Sequence, residues 1–253
     1  MSKELSGKVA LVAGGYGGIG EACAKALAQS GVTVVVAGRD ASKAEETARS
    51  LRGHGASSAV AFDMRDVASM RTAVELAAAR HGSIDFLVNC AGTQQIQPIT
   101  EVTEEAFDRI LDVNLKGAMF LAQAVARVQI AAGRGGRHVH LLSVRAMLGM
   151  RDRGYSSYCS SKGGLALLVR QHAVELARHG INVNGVATTV VRTRMASDWD
   201  DPEIHRKLLE RIPLGRIAEV EDVTGAVLFF LGPASSFVTG QILYVDGGIT
   251  ATQ

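Results

Sequence analysis

Seven short apolar runs, separated by longer stretches of helical period, constrain the fold of this chain more than any other feature. The runs cover 8–13, 32–38, 59–62, 86–89, 138–143, 181–187 and 241–245. Several are unbroken Val, Leu and Ile rather than an apolar/polar alternation, as in strands covered on both faces. Strands of that kind with helices between them predict an α/β fold, a doubly wound parallel sheet with helices on both faces. The longest helical stretches run over 104–132 and 156–179. Their Ala and Leu content favours helix, and their wide apolar faces imply burial against the sheet or a second subunit. Residues 133–136, Gly-Arg-Gly-Gly, make a turn rather than a linker. Only 188–216 breaks the rhythm for long, and we read it as a substrate-binding lid within a single domain spanning 1–253.

With 47% hydrophobic and 21% charged residues, the 253-residue chain has material for a sizeable core, which excludes disorder. The formal charge is +2 and Lys and Arg are scattered, so there is no field to draw the chain to nucleic acid or an anionic membrane. Aromatic residues, at 5%, are too few for a base-stacking surface. Cys23, Cys90 and Cys159 show no C-x-x-C spacing and no His at ligand spacing, which argues against a disulfide framework and against a metal site. The polar opening Met1-Ser-Lys-Glu-Leu-Ser-Gly-Lys8 does not read as a signal peptide, and no apolar run reaches the ~20 residues of a membrane-spanning helix. The expected compartment is the cytoplasm.

The first apolar run leads into Gly14-Gly15-Tyr16-Gly17-Gly18-Ile19-Gly20 and then into a helix beginning near Gly18. Glycines let the backbone approach a pyrophosphate closely, and a helix N-terminus offers it unpaired N–H groups. Strand, glycine turn and helix together are the context a dinucleotide site requires. The second run ends in Val36-Ala37-Gly38-Arg39-Asp40. An acidic side chain there would bind the adenosine ribose and reject a 2′-phosphate, whereas Arg accepts the phosphate through a charged fork. Gly38 followed by Arg39 favours NADP(H). Asp40 turned to the ribose keeps NAD(H) as the alternative, and a solvated Arg39–Asp40 turn would decide neither.

Tyr158-Cys159-Ser160-Ser161-Lys162 places a Tyr and a Lys four apart, on one face of a helix. A phenol titrates near ~10 and a nearby ammonium favours its ionised form, so the pair makes a tunable acid. Tyr155 is excluded because its fourth position onward is Cys159. Ser143 closes the strand His140-Leu141-Leu142-Ser143, where a hydroxyl can donate to a developing alkoxide; it could equally be a helix cap or a buried strand end. Asn114 falls inside the long helix, a poor place for Asn unless its amide has work to do.

Together these stretches resemble the short-chain dehydrogenase/reductase family over nearly the whole chain. The family's T-G-x-x-x-G-x-G turn is matched by Gly14, Gly18 and Gly20, with Ala13 in place of Thr. Asp63-Met64 resembles its adenine contact, and Asn89-Cys90-Ala91-Gly92 resembles its N-N-A-G stretch with Cys90 replacing the second Asn. Phe237 to Gly248 matches its C-terminal end, and Asn114, Ser143, Tyr158 and Lys162 match its catalytic tetrad in order and approximate spacing. The resemblance implies a Rossmann-like fold and hydride transfer between a nicotinamide and a carbonyl or secondary alcohol. Tyr158 would protonate the carbonyl oxygen and Ser143 would orient it. Lys162 would hold the nicotinamide ribose and lower the Tyr158 pKa, and Asn114 would hold a water of the proton relay. Implied cofactor contacts are Gly14, Tyr16, Gly18, Ile19, Gly20, Arg39, Asp63, Met64, Asn89, Ala91, Gly92, Tyr158 and Lys162. Val191 and Thr193 join them, although Thr188-Thr189 stands before them where the family has Pro-Gly. The interval from Ser143 to Tyr158 is slightly longer than is usual, the excess falling in 150–155.

Specificity is expected from 93–97, 144–155 and 188–216, because loops beyond strand C-termini line the crevice of an open α/β sheet. Arg145, Arg151, Arg153, Arg192 and Arg194 populate these loops, which fits a polar or anionic substrate or a merely solvated surface. Met195 and Trp199 could close an apolar lid. Family members that reduce 3-oxoacyl groups on acyl carrier protein dock it with basic residues; Arg134 falls at one comparable position and His179 where a second Arg would stand. A 3-oxoacyl-carrier-protein reductase and a sugar, polyol or general ketone reductase therefore both stay open. The resemblance further implies a homotetramer built on the two long helices and the last strand. A cofactor-binding sensor without turnover would carry a broken tetrad, and this tetrad is whole.

Overall fold

The computed structural model describes residues 3–151, 153–193 and 202–252. Seven strands form it: β1 (Val9–Ala13), β2 (Thr33–Gly38), β3 (Ser57–Ala61), β4 (Phe86–Asn89), β5 (Gly136–Ser143), β6 (Ile181–Thr188) and β7 (Ile242–Val245). They make one sheet in the order β3-β2-β1-β4-β5-β6-β7, with every neighbouring pair parallel. Each strand of the reading is present, its ends shifted by at most two residues. The helices are α1 (Gly18–Gln29), α2 (Ala41–Leu51), α3 (Val67–His81), α4 (Glu104–Leu111), α5 (Gly117–Ala132), α6 (Ser156–Leu176), α7 (Pro202–Leu209) and α8 (Val220–Leu231).

The unbroken apolar runs are explained by the two-residue period of a strand. Ala10, Val12, Val34, Val36 and Val88 point to one face, where Leu27 of α1, Ala48 of α2 and Val227 of α8 cover them. Leu11, Ala13, Val35 and Leu87 point to the other, under Met70 and Val74 of α3 and Leu121 and Val125 of α5. A third cluster seats Leu165 and Val169 of α6 on Leu142, Val183 and Ala187. At ~1.5–3 kcal/mol for each fully buried Val or Leu, these faces fix strand register strongly, since a one-residue slip would exchange them.

Two features differ from the expectation. The helix read over 104–132 is interrupted by a π-helical turn, Asp112–Lys116, between α4 and α5. And 188–216 is not the only long departure from the rhythm: 90–103 joins β4 to α4 without regular structure, while 188–216 itself contains α7. Arg194, Met195 and Trp199 lie outside the described residues. Among the described residues, no helix is long and apolar enough to cross a membrane. The sheet grows in opposite directions from β1 and β4, so the crevice beyond their C-terminal ends is the place where such a fold binds a ligand.

Candidate active site

At that crevice the chain turns from β1 into α1 through a backbone other residues would resist. Gly14 has φ +71°, and a Cβ on it would stand 3.0 Å from Ala91 N at the end of β4. A Cβ on Gly20 would stand 2.2 Å from Gly14 O, so the turn lies directly on the first turn of α1. Gly17 precedes α1 without a side-chain cap and with open space beside it, which leaves the helix N–H groups available to an anion. Thr193 packs against Gly18, and Asn89 Oδ1 accepts from Ala91 N at 3.2 Å. The predicted phosphate-side residues are thus brought together, and they fit a dinucleotide pyrophosphate.

At the ribose end Tyr16 lies over Gly38: a Cβ there would meet the phenol ring at 2.3 Å. Any acidic side chain at 38 would have to displace that ring. Asp40 does not face the crevice as a free carboxylate; its Oδ1 caps α2 by accepting from Lys43 N at 3.1 Å. Arg39 is exposed. Asp63 is gripped by Arg65, Nη2 to Oδ2 at 2.8 Å, and that hydrogen bond holds its carboxyl below the usual range, with a smaller pull from Arg39. Met64 is buried against Gly117 at the start of α5. Cys90, in the place of the second Asn, packs on Cys23 of α1; a hydrogen bond to Cys23 and burial push its thiol well above the usual range.

The tetrad residues come from three elements. Ser143 ends β5, and Tyr158 and Lys162 stand one turn apart on α6. Asn114 sits in the π turn, 1% exposed. Its Oδ1 accepts from Thr93 N at 2.8 Å, while its Nδ2 donates to Thr93 O at 2.8 Å and to Ser161 Oγ at 3.0 Å. The widened turn is what lets a mid-helix amide reach across to the 90–103 loop and to α6. Lys162 Nζ donates to Leu141 O at 2.8 Å and lies 5.7 Å from the centre of the Tyr158 ring. Gly92 closes the group, with room beside it bounded by Asn114 and Lys162.

Burial sets the ionisation of this group. It pushes the Tyr158 phenol up to about 12, against the pull of a hydrogen bond with Ser143, and lowers the Lys162 ammonium to about 8. Arg145 exerts a cationic pull on the phenol, and Lys162 is directed at a backbone carbonyl.

Ser143 and Tyr158 open into a cavity of about 400 Å³, whose walls include Ile19, Gln94, Ile96, Val191 and Thr193. Thr188, where the family carries Pro, simply completes β6, in register with Ser143 and Val245. Gly154 is held against the 90–103 loop: Gln97 N donates to Gly154 O at 3.0 Å, and a Cβ on Gly154 would overlap Gln97 O at 1.9 Å. Of the arginines singled out, Arg145 and Arg153 line the cavity, and Arg192 is paired with Glu219 at 3.0 Å instead. Arg211, just past α7, lines it too and was missed by the sequence reading, because nothing local marks which way a post-helical Arg points. The burial of three histidines, His138 and His140 of β5 and His172 of α6, was not read from the sequence either. Two-residue spacing on a strand of known facing could have found the first two.

This arrangement has close counterparts. A family model described as Enoyl-(Acyl carrier protein) reductase matches residues 14–250. The L-xylulose reductase of Bos taurus is 41% identical over 253 residues, covering 100% of both chains. The sorbitol dehydrogenase of Cereibacter sphaeroides is 36% identical over 257 residues, covering 96% of this chain and 98% of that one. A crystal structure of a gluconate 5-dehydrogenase from Burkholderia cenocepacia in complex with NADP and tartrate superimposes with a TM-score of 0.94 at 35% identity, covering 99% of this chain and 98% of that one. Sequence, sheet order and crevice therefore agree, and the chain belongs to the short-chain dehydrogenase/reductase family, nicotinamide-dependent oxidoreductases that interconvert carbonyls and secondary alcohols.

Proposed function

We propose that this chain is an NADP(H)-preferring oxidoreductase of polyhydroxylated ketones and secondary alcohols, with Tyr158 as the proton donor. The observation that carries the reading is the convergence of Ser143 and Tyr158 on a cavity walled also by the hydroxyls of Thr188, Thr189 and Thr193. Hydroxyl-bearing walls suit a substrate with several hydroxyls, and the named relatives that act on xylulose and sorbitol support the class. The bound cofactor supplies or accepts the hydride. In reduction, Ser143 holds the carbonyl oxygen in place and Tyr158 gives it a proton. Lys162, one turn from Tyr158 on α6, would hold the nicotinamide ribose, and Asn114 would hold a water through which a proton returns to Tyr158. We read 1–253 as one catalytic unit and 188–216 as its substrate-binding segment.

Tyr16 over Gly38 and the exposed Arg39 support NADP(H) over NAD(H): one removes room for a ribose-binding carboxylate and the other offers a fork to a 2′-phosphate. Arg39→Ala is expected to raise KM for NADPH about tenfold or more while changing KM for NADH little, a loss typical of one charge-assisted contact. Cofactor absorbance followed on a panel of ketoses, polyols and 3-oxoacyl esters tests both points. Equal effects on the two cofactors would remove Arg39 from the phosphate site, and turnover of the oxoacyl esters alone would replace the polyol reading with an acyl reductase. We read the assembly as a homotetramer, supported by Leu167 and Val174 of α6, 64% and 76% exposed, and Leu243 of β7, 41% exposed. Light scattering at the mass of four chains is the expected result; a monomer's mass would refute it. The three free thiols fit a reducing compartment, the cytoplasm.

A further inference from the structure

The arginines around the active site fall into two groups. Arg192, Arg206 and Arg216 have carboxylate partners, Glu219, Glu203 and Asp222. Arg145, Arg153 and Arg211 line the cavity, and no Asp or Glu among the described residues lines it with them. Arg145 is half-buried, and burial together with the charge of Arg211 lowers its pKa. Its Nη1 donates to Leu148 O at 3.2 Å and to Gly149 O, which fixes the plane of the guanidinium at the cavity wall. Arg153 precedes Gly154, which Gln97 holds, and Arg211 follows α7. Concentrating cations in a partly apolar cavity that no described carboxylate lines is unfavourable until an anion enters.

Resting on the oxidoreductase reading above, we propose that these three arginines form an anion subsite and that the substrate is a polyhydroxy carboxylic acid of the aldonate class. Its carboxylate binds at Arg145, Arg153 and Arg211, and its secondary alcohol or ketone lies at Ser143 and Tyr158. The planar fork of Arg suits a carboxylate, and a cavity of about 400 Å³ has room for a short polyhydroxy chain between the two ends.

The test is a set of matched substrates, four- to six-carbon aldonates, the corresponding alditols and the alditol phosphates, assayed with NADP⁺. Alongside it, calorimetric titration of tartrate gives binding without turnover. Aldonates are expected to exceed alditols by tenfold or more in kcat/KM. In Arg153→Gln and Arg211→Gln that ratio should fall about tenfold each, and tartrate binding should weaken in parallel. Circular dichroism checks that the variants fold. If alditols are preferred and tartrate affinity is the same in the variants, the subsite is wrong and the oxidoreductase reading survives. If nothing turns over yet tartrate binds in an arginine-dependent way, the subsite survives and that reading falls. Preference for the phosphate esters overturns the carboxylate assignment.

Discussion

Tyr158→Phe is expected to lower kcat by about a thousandfold while leaving the fold and dinucleotide affinity intact, the loss appropriate to a proton donor that also stabilises the developing alkoxide. Phe preserves the ring that packs against Tyr155, with centroids 5.9 Å apart, and removes only the hydroxyl. Because burial holds that phenol near 12, it is protonated throughout the neutral range, the form that carbonyl reduction consumes. Alcohol oxidation needs the phenolate, so its rate should climb with pH, and the climb should vanish with the hydroxyl. Steady-state kinetics in both directions, with fluorescence titration of NADPH, check these points. Activity within tenfold of the parent would show that the proton comes from elsewhere.

The second large effect is on stability. His138 is fully buried on β5, its Nε2 bonded to Gln129 Oε1 at 2.9 Å and its Nδ1 without a partner. Burial, then the charge of His172, lowers its pKa to about 3; His140 and His172 are lowered as well, chiefly by burial. An unfolded chain takes up these protons near pH ~6.5 and the folded one does not, so stability is complete above that pH and is lost as pH falls from there towards 3. At ~1.4 kcal/mol per unit of difference, His138 alone accounts for about 4–5 kcal/mol by pH 3, and about 2 kcal/mol at pH 5. Urea unfolding at pH 7, 6, 5 and 4 should show a steep decline, and His138→Gln, which cannot titrate there, should flatten it. Equal slopes in the two proteins would show that His138 is charged in the folded state.

What could be read in the sequence followed from local periodicity. Val34 to Ala37 and Leu11 to Ala13 read as buried strands because both of their faces are apolar, and the structure covers both faces. The glycine turn and the Tyr158–Lys162 pair were legible because fixed spacing on a strand end or a helix maps directly to space. Depth and direction were not. Nothing near Tyr158 in sequence announces a phenol buried enough to resist ionisation. Arg192 and Arg153 look alike as loop cations; only the folded chain turns one to Glu219 and the other to the cavity. Asn114 was recognised as misplaced in a regular helix, yet the remedy, a wider turn, depends on Thr93 and Ser161, which are distant in sequence.

That wider turn makes the active site sensitive to chain length rather than to side-chain identity. A π turn holds one residue more than an α turn in about the same rotation and rise, so removing one residue from 112–116 would let α4 and α5 fuse smoothly with both helices near their present seats. What would be lost is the local widening from which the Asn114 amide reaches Thr93. A family drifting by single-residue deletions would thus meet a barrier here that point substitutions do not. The same extra residue is a ready-made lesion, since its loss would give a more regular helix and an enzyme that no longer turns over.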